Sequence, residues 1–385
     1  MTTPIVVAGS GLAGYTLVRE LRRLDASTPI VVVTRDAGAV YSKPTLSNAL
    51  AAGRTPEMLA TADAAGAAAQ FGATVLARRA IESIDVAAHT LRLEDGERIP
   101  YRALVLAVGA DPIRVPLEGN GAADVLAVND LDGYARFRDA VEAARHVTIL
   151  GAGLIGCEFA NDLRASGRDV HVVEPAAWPL GRLLPQPVGD AFAQRLRDAG
   201  VGLLLETTAT SISRRHDGGY RVGLAGDASI DTDLVLSAIG LRPRTALAAA
   251  AGLLSDRGIV VDRFLRTSDP AIYALGDCAQ VDGLVLPFVM PIMHAARALA
   301  RTLCGDETRL KYPAMPVVVK TPAAPLTVAP PPLGARGSWQ CTTAADGSLE
   351  AAFVDAHGRL LGFALLGGTP AARQALAKRL PAVLD

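Results

Sequence analysis

The chain has 385 residues, half of them hydrophobic, which is too long for one ordinary domain and apolar enough for two or three cores. Its formal net charge is −1 and its isoelectric point is about 6.6. This balance lacks the basic surface that nucleic acids and anionic membranes attract, so we predict neither as a partner.

Further patterns bear on the compartment. No apolar run is long enough to cross a bilayer, and the first residues show no signal-peptide pattern. The four cysteines have no CxxC or CxxxxC spacing; they are Cys157, Cys278, Cys304 and Cys341. We therefore predict four reduced thiols in a cytoplasmic protein, with no membrane insertion, redox-active disulfide or metal site.

The first elements predict a strand, turn, helix and strand in succession. Residues 5–8 and 30–34 are short apolar strands, and residues 15–24 have helical spacing of apolar residues. The turn between the first strand and the helix has the GxGxxG pattern and consists of Gly9, Ser10, Gly11, Leu12, Ala13 and Gly14.

The same unit recurs about 140 residues later. Its strand covers residues 147–150, its helix residues 157–166, and its second strand residues 170–173. The glycines of the turn are Gly151, Gly153 and Gly156. In such turns the glycines allow a tight bend, close approach of a pyrophosphate and close helix packing, while the start of the helix holds phosphate. One copy is weak evidence, but two copies predict two bound dinucleotides.

The two units differ where their second strands end. Glu174 ends the strand of the second unit, where a carboxylate accepts hydrogen bonds from ribose hydroxyls and repels the 2′-phosphate of NADP, so NADH is predicted there. In the first unit the acid is missing or displaced to Asp36. Thr34 is then a candidate ribose contact and Arg35 a candidate for the adenine face. A solvated strand end for Glu174 and a surface position for Arg35 are the alternatives.

Two later strands, at residues 103–107 and 234–238, each run into a turn containing glycine and proline. We expect the chain to leave one domain for the other at these turns. The predicted fold is α/β, with two Rossmann-like dinucleotide-binding domains and a small C-terminal α+β domain. The predicted bounds are 1–112 with 245–310 for the first domain, 113–244 for the second and 311–385 for the third.

A third motif identifies the first dinucleotide. Residues 267–277, TSDPAIYALGD, resemble the second FAD fingerprint of flavoproteins with two dinucleotide-binding domains. The resemblance covers almost the whole chain. It implies FAD at the first glycine turn, NADH at the second, and contact of Asp277 with the ribityl chain of the flavin.

The same resemblance implies roles for five more residues. Lys43 and Glu158 are expected beside the flavin as the catalytic side chains. Glu158 follows the second glycine turn, and a pairing with Lys43 is suggested. The main chains of Ile81 and Val289 are expected at the adenine and the flavin pyrimidine, with Val289 just before a helix starting near Pro291. Lys320 is expected near flavin N1 and O2. The alternatives are a surface position for Lys43, a first-turn structural acid for Glu158, core packing for Ile81 and Val289, and a solvated strand end for Lys320.

Relatives that reduce disulfides carry cysteine beside the flavin, whereas residues 41–47 contain none. Electrons are therefore expected to leave the flavin directly, one at a time, for an iron carrier. The chain resembles the rubredoxin–NAD(+) reductase family from end to end, including the proline-rich residues 316–325. This family implies FAD, NADH, rubredoxin as acceptor and a role in alkane hydroxylation. A ferredoxin reductase of an oxygenase system and a non-catalytic FAD and NADH sensor are the alternative hypotheses.

Overall fold

The computed structural model describes residues 3–385. The first part of the chain builds most of a parallel sheet with a small antiparallel sheet beside it, and a 3₁₀ helix covers Lys43–Asn48. Its other elements are β1 (Ile5–Ala8), α1 (Leu12–Leu24), β2 (Ile30–Val33), α2 (Pro56–Leu59), α3 (Ala64–Phe71), β3 (Thr74–Leu76), β4 (Ile81–Asp85), β5 (Thr90–Leu93), β6 (Arg98–Pro100), β7 (Ala103–Leu106) and β8 (Ala110–Pro112).

The middle part of the chain repeats this plan. Its parallel sheet has the strand order β11-β10-β9-β15, and an antiparallel sheet β12-β13-β14 accompanies it. The elements are α4 (Leu131–Glu142), β9 (His146–Leu150), α5 (Leu154–Ala165), β10 (Asp169–Glu174), α6 (Gln186–Asp198), β11 (Val201–Leu205), β12 (Ala209–Arg214), β13 (Tyr220–Leu224), β14 (Ser229–Thr232), β15 (Leu234–Ser237) and β16 (Leu241–Pro243), with a 3₁₀ helix at Ala122–Asp124.

The chain then returns to the first sheet. The returning elements are α7 (Ala246–Ala250), β17 (Ile259–Val261), β18 (Ile272–Ala274), β19 (Ala279–Val281) and α8 (Val289–Leu303). β18 pairs with β7 and completes the parallel order β18-β7-β1-β2-β3. The two crossings between the units run side by side, because β8 pairs antiparallel with β16. One buried core therefore combines residues from both ends of this part of the chain.

The last part is an antiparallel sheet with one helix. Its elements are β20 (Val317–Val319), β21 (Leu326–Ala329), β22 (Ser338–Thr343), β23 (Leu349–Val354), β24 (Leu360–Leu366) and α9 (Pro370–Arg379). The strand order is β20-β21-β24-β23-β22. Buried residues of this sheet join the same core as α5 and α6, which holds the sheet against the middle unit. The predicted fold class is confirmed; the predicted domain bounds stay a prediction.

Three predicted helix starts are wrong. α1 begins at Leu12 and α5 at Leu154, three residues before the predicted positions, because the last glycine of each turn already lies within the helix. α8 begins at Val289 rather than near Pro291, since a proline is tolerated in the first turn of a helix, where its missing N–H needs no intrahelical partner.

Candidate functional site

One large cavity lies where the two glycine turns approach each other. Its volume is about 2170 Å³, more than twice the roughly 300–1,000 Å³ typical of a site for a single small ligand. All predicted site residues line it except Gly14 and Gly156. The structure therefore brings together residues that the sequence places more than 300 positions apart, such as Gly9 and Lys320. Their individual roles stay predictions.

The first glycine turn is shaped to receive an anion. A Cβ added at Gly11 would meet nothing within 4 Å among residues 3–385, whereas one at Gly14 would lie 2.0 Å from Gly9 O. Gly11 therefore leaves open space on the cavity side, and Gly14 allows the helix to approach the strand. No side chain of the described chain caps the start of α1, so its first N–H groups are available to a phosphate.

The acid displaced to Asp36 is held by its own chain. Asp36 Oδ1 accepts hydrogen bonds from Ser10 Oγ at 2.7 Å, from Thr34 Oγ1 at 2.9 Å and from the N–H of Gly38 at 2.8 Å. Ser10 and Thr34 are both buried. This network fixes the end of β2 beside the first glycine turn, although Asp36 was not among the predicted site residues.

Arg35 projects away from this network. Its Nη2 lies 3.3 Å from Asp111 Oδ1, which also accepts a 2.7 Å hydrogen bond from Arg244 Nε. The Arg244 guanidinium, with Arg35 beside it, holds the pKa of Asp111 below its usual 3.8. Arg35 is thus tied to the crossing strands at the rim of the cavity, a contact that local sequence did not indicate.

The second glycine turn repeats the geometry of the first. A Cβ at Gly153 would meet no atom of residues 3–385 within 4 Å, and one at Gly156 would lie 2.0 Å from Gly151 O. Glu174 Oε2 accepts the N–H of Ala152 at 2.6 Å, and its Oε1 accepts the N–H of Ala176 at 3.0 Å. Glu174 is therefore a fixed carboxylate at the cavity wall rather than a freely solvated strand end.

Asp277 follows β18 and lies beside the first glycine turn. Asp277 Oδ2 lies 3.5 Å from Lys43 Nζ, and both side chains are at least two-thirds buried. Gly276 just before it has a φ of +81°, and a Cβ there would lie 2.7 Å from Ala13 Cβ. This ion pair places Lys43 at the cofactor cavity and rules out the surface alternative.

The suggested pairing of Glu158 with Lys43 is wrong. Glu158 pairs instead with Lys320, whose Nζ donates to Glu158 Oε2 and whose N–H donates to Oε1 at 3.0 Å. Ser47 Oγ donates to the same carboxylate at 2.5 Å, and Lys320 Nζ also donates to Pro44 O at 2.6 Å. The reason is that Val319, the last residue of β20, shares a buried core with α5, which brings the following residue, Lys320, to Glu158.

Two alternatives for these residues are corrected at the same time. Glu158 is the fifth residue of α5, beyond the first turn, so it is not a first-turn acid that favours the helix dipole. Lys320 is not a solvated strand end, because its side chain is only 31% exposed and is ion-paired.

The two main-chain candidates lie at different parts of the wall. Ile81 begins β4 and is partly buried against the first core, which leaves core packing open for its side chain. Val289 begins α8 and is 38% exposed, so core packing does not explain it.

The cavity wall also contains polar atoms that the sequence did not single out. Asn129 Oδ1 and Ser237 Oγ are buried without a hydrogen-bond partner in the described chain, and both residues line the cavity. Buried polar atoms are nearly always paired. Together with the two open glycine turns, these atoms fit polar ligands of dinucleotide size.

No cysteine of residues 3–385 lines this cavity. All four cysteines are free, as predicted, with Cys157 and Cys278 buried and Cys304 and Cys341 exposed. Burial raises the pKa of the Cys278 thiol to about 11 and raises that of Cys157 even further. Neither buried thiol is a thiolate near neutral pH.

Comparison with known proteins gives the family. A family model described as pyridine nucleotide-disulphide oxidoreductase matches residues 3–301. The chain belongs to this family. A second model, described as rubredoxin binding C-terminal domain, matches residues 309–380. Within the described part of the chain, no helix is long and apolar enough to span a membrane.

Similar members of the family are known. A rubredoxin-NAD(+) reductase of Acinetobacter baylyi is 47% identical over 95% of this chain and 94% of its own length. One from Alcanivorax borkumensis is 45% identical over 99% of both chains. Among solved structures, the ferredoxin reductase for the CYP199A2 system from Rhodopseudomonas palustris has a TM-score of 0.88 at 28% identity, over 99% of this chain and 96% of its own.

Proposed function

We propose that this member of the pyridine nucleotide-disulphide oxidoreductase family uses FAD to transfer electrons from NADH to rubredoxin. The observation that carries the proposal is a single cavity bordered by two open glycine turns and free of cysteine in the described chain. The match of the C-terminal sheet to a rubredoxin-binding domain supports the choice of acceptor.

The residues at the first turn fit FAD. Under the proposal, Gly9, Gly11 and the start of α1 hold its pyrophosphate, while Thr34 and Arg35 lie at the ribose and adenine. Asp277, oriented by Lys43, holds the ribityl region. Ser10, Leu12, Ala13, Ile81 and Val289 also line the cavity, and Gly14 allows the turn to form.

The residues at the second turn fit NADH. Gly151, Gly153 and Gly156 form the pyrophosphate turn, and the oriented carboxylate of Glu174 receives the ribose hydroxyls. The same carboxylate disfavours the extra phosphate of NADPH. Arg182 also lines the cavity and is exposed, so removal of the Glu174 charge would leave a cation within the same site.

The electron balance requires a mediator that accepts two electrons and releases them singly, which is the chemistry that FAD supplies when bound. NADH and two oxidised rubredoxins give NAD⁺, two reduced rubredoxins and one proton. The chain itself positions the reactants and shields them from water. Glu158 and Lys320 supply a pair of opposite charges in the cavity wall, of which the Glu158 carboxylate is buried.

The division of labour follows the folding units. We propose that residues 1–112 and 245–310 bind FAD, residues 113–244 bind NADH, and residues 311–385 contribute to rubredoxin docking. Four free thiols suit the reducing cytoplasm, where we place the protein. The supply of electrons to an alkane hydroxylase rests on the family resemblance alone.

The test is an anaerobic stopped-flow experiment with the purified holoprotein. Addition of NADH should bleach the flavin absorbance, and subsequent addition of oxidised rubredoxin should restore it while two rubredoxins are reduced per NADH. Flavin bleaching without rubredoxin reduction would exclude this acceptor. Protein that stays colourless after incubation with FAD would exclude the entire proposal.

A [2Fe–2S] ferredoxin is the second candidate acceptor, because the structure resembles a ferredoxin reductase over its full length. Parallel reactions with rubredoxin and ferredoxin at equal concentration should show faster reduction of rubredoxin. Faster reduction of ferredoxin would favour the second candidate. A non-catalytic sensor would bind both cofactors but oxidise NADH slowly with either acceptor.

A further inference from the structure

A second buried carboxylate lies on α5, one turn beyond Glu158. Asp162 is 4% exposed, and burial raises the pKa of its carboxyl. Its partners are backbone N–H groups of a distant segment: Leu50 donates to Oδ2 at 2.9 Å and Ala51 to Oδ1 at 3.2 Å. A buried acid without a pairing side chain costs stability unless its hydrogen bonds hold something in place.

The segment that Asp162 holds directly follows the 3₁₀ helix Lys43–Asn48. The body of that short helix is fixed by another contact to α5, because Ser47 Oγ donates to Glu158 at 2.5 Å. Two carboxylates on one face of α5 therefore anchor the 3₁₀ helix and the backbone just after it. A six-residue 3₁₀ helix is not stable alone, so its position depends on such anchors.

Lys43 is the first residue of that 3₁₀ helix and reaches Asp277 over 3.5 Å. α5 itself begins at the second glycine turn. Under the proposed function, α5 receives the coenzyme phosphate. The same helix therefore also fixes the position of the 3₁₀ helix that contains Lys43.

We infer that Asp162 is a positioning residue. By binding the backbone N–H groups of Leu50 and Ala51 to α5, it places Lys43 against Asp277. This inference rests on the proposed function in one respect, namely that Lys43 and Asp277 serve the FAD site. Asp162 does not line the large cavity. The proposed effect of Asp162 on Lys43 passes through the backbone of Leu50 and Ala51, which its carboxylate holds.

The test is a double-mutant cycle of D162N and K43M, measured first by the fluorescence change when FAD binds the apoprotein. The amide of the D162N variant accepts only one of the two N–H groups, so the FAD dissociation constant should rise roughly tenfold. K43M should raise it similarly, and the double variant should be no worse than K43M alone. Additive losses would assign Asp162 a general structural role and overturn the inference.

Kinetics with NADH and ferricyanide provide a second readout. D162N should lower kcat several-fold while the KM for NADH changes less than about twofold, because the second glycine turn and Glu174 are untouched. Loss of NADH affinity with unchanged kcat would contradict the inference. D190N is the matched control, since Asp190 is an exposed carboxylate on α6 of the same unit, and it should leave both constants unchanged.

Hydrogen exchange in the unaltered holoprotein keeps the inference testable if D162N fails to fold. The amides of Leu50 and Ala51 should exchange slowly, and rapid exchange of both would show that Asp162 does not hold them. Failure of the proposed function has a different signature. Protein that binds FAD but does not reduce rubredoxin would leave the cycle in FAD affinity intact.

Discussion

Lys43 Nζ lies 3.5 Å from Asp277 Oδ2, although 234 positions of sequence separate the two residues. Lys43 comes from a short 3₁₀ helix after β2, and Asp277 follows β18, the last strand added to the first sheet. In the sequence, the whole middle unit lies between the two residues. The first site therefore combines residues from both passages of the chain through that unit.

Alanine substitutions at two glycines of the first turn should have different consequences, one for FAD binding and one for stability. G11A should fold normally but weaken FAD binding at least tenfold, because its methyl group enters the open space that a pyrophosphate would use. G14A should lower the free energy of unfolding by about 1–3 kcal/mol, because its Cβ would lie 2.0 Å from Gly9 O. Urea denaturation of the apoproteins and FAD titration separate the two effects.

G153A and G156A provide the matched pair in the second unit, with the same two environments. G153A should raise the KM for NADH while FAD affinity stays unchanged. Loss of FAD from G153A and retention by G11A would reverse the assignment of the two sites.

Glu174 is predicted to determine the choice between NADH and NADPH. E174Q should raise the KM for NADH roughly tenfold, because an amide is a weaker acceptor for ribose hydroxyls. It should also improve activity with NADPH, since the repulsion of the 2′-phosphate is lost and Arg182 remains in the cavity. Steady-state kinetics with both coenzymes measure the change in preference.

E206Q is the control for this prediction, because Glu206 is an exposed acid of the same unit that does not line the cavity. It removes the same charge and should leave the preference unchanged. Equal effects of E174Q and E206Q would mean that Glu174 acts only through the net charge of the unit.

Local sequence was sufficient to predict that the glycine turns, Glu174 and Asp277 lie at one cavity; their roles there stay predictions. Each belongs to a motif in which backbone geometry requires a particular residue within a few positions. Gly14 illustrates this requirement, because any side chain there would collide with Gly9 O. Such a constraint acts between residues that are close in sequence, so a local motif predicts it without knowledge of the rest of the fold.

The partners of Glu158 could not be predicted in the same way. Lys320 lies 162 positions away, directly after β20, and its approach depends on how the C-terminal sheet packs on α5. Asp162 has no motif, because it accepts N–H groups from a segment 112 positions earlier. Contacts between elements that are distant in sequence depend on how those elements pack, which a local pattern of residue types does not specify.

The cysteines are predicted to differ in reactivity. At pH 7 a thiol reagent should modify Cys304 and Cys341, which are exposed, and spare Cys157 and Cys278, which are buried. NADH oxidation should survive this modification, because no cysteine of the described chain lines the cavity. Mass spectrometry of digested, alkylated protein identifies the modified sites, and loss of activity in step with labelling would contradict the prediction.

The raised pKa of Cys278 also predicts a loss of stability in alkali. Its folded-state value is about 11 and the ordinary value is 9.0, so the unfolded state loses its proton first as pH rises. The stabilisation is fully present below about pH 9 and is lost as the pH rises toward 11. C278A should show a shallower decrease of the unfolding free energy over this range. An unchanged slope would mean that other groups dominate alkaline unfolding.

The Lys320–Glu158 pair should behave as a coupled unit in stability. K320M leaves a carboxylate that is only 5% exposed without its cation and should lower the free energy of unfolding by about 1–3 kcal/mol. The K320M/E158Q double variant should lose less than the sum of the single changes, because neither charge is then left without its partner. The exposed pair Arg92–Glu82, at 2.9 Å, is the control, and R92M with E82Q should show coupling below about 1 kcal/mol. Urea denaturation of all six variants gives both coupling energies, and equal values would mean that burial of Glu158 adds nothing to the pair.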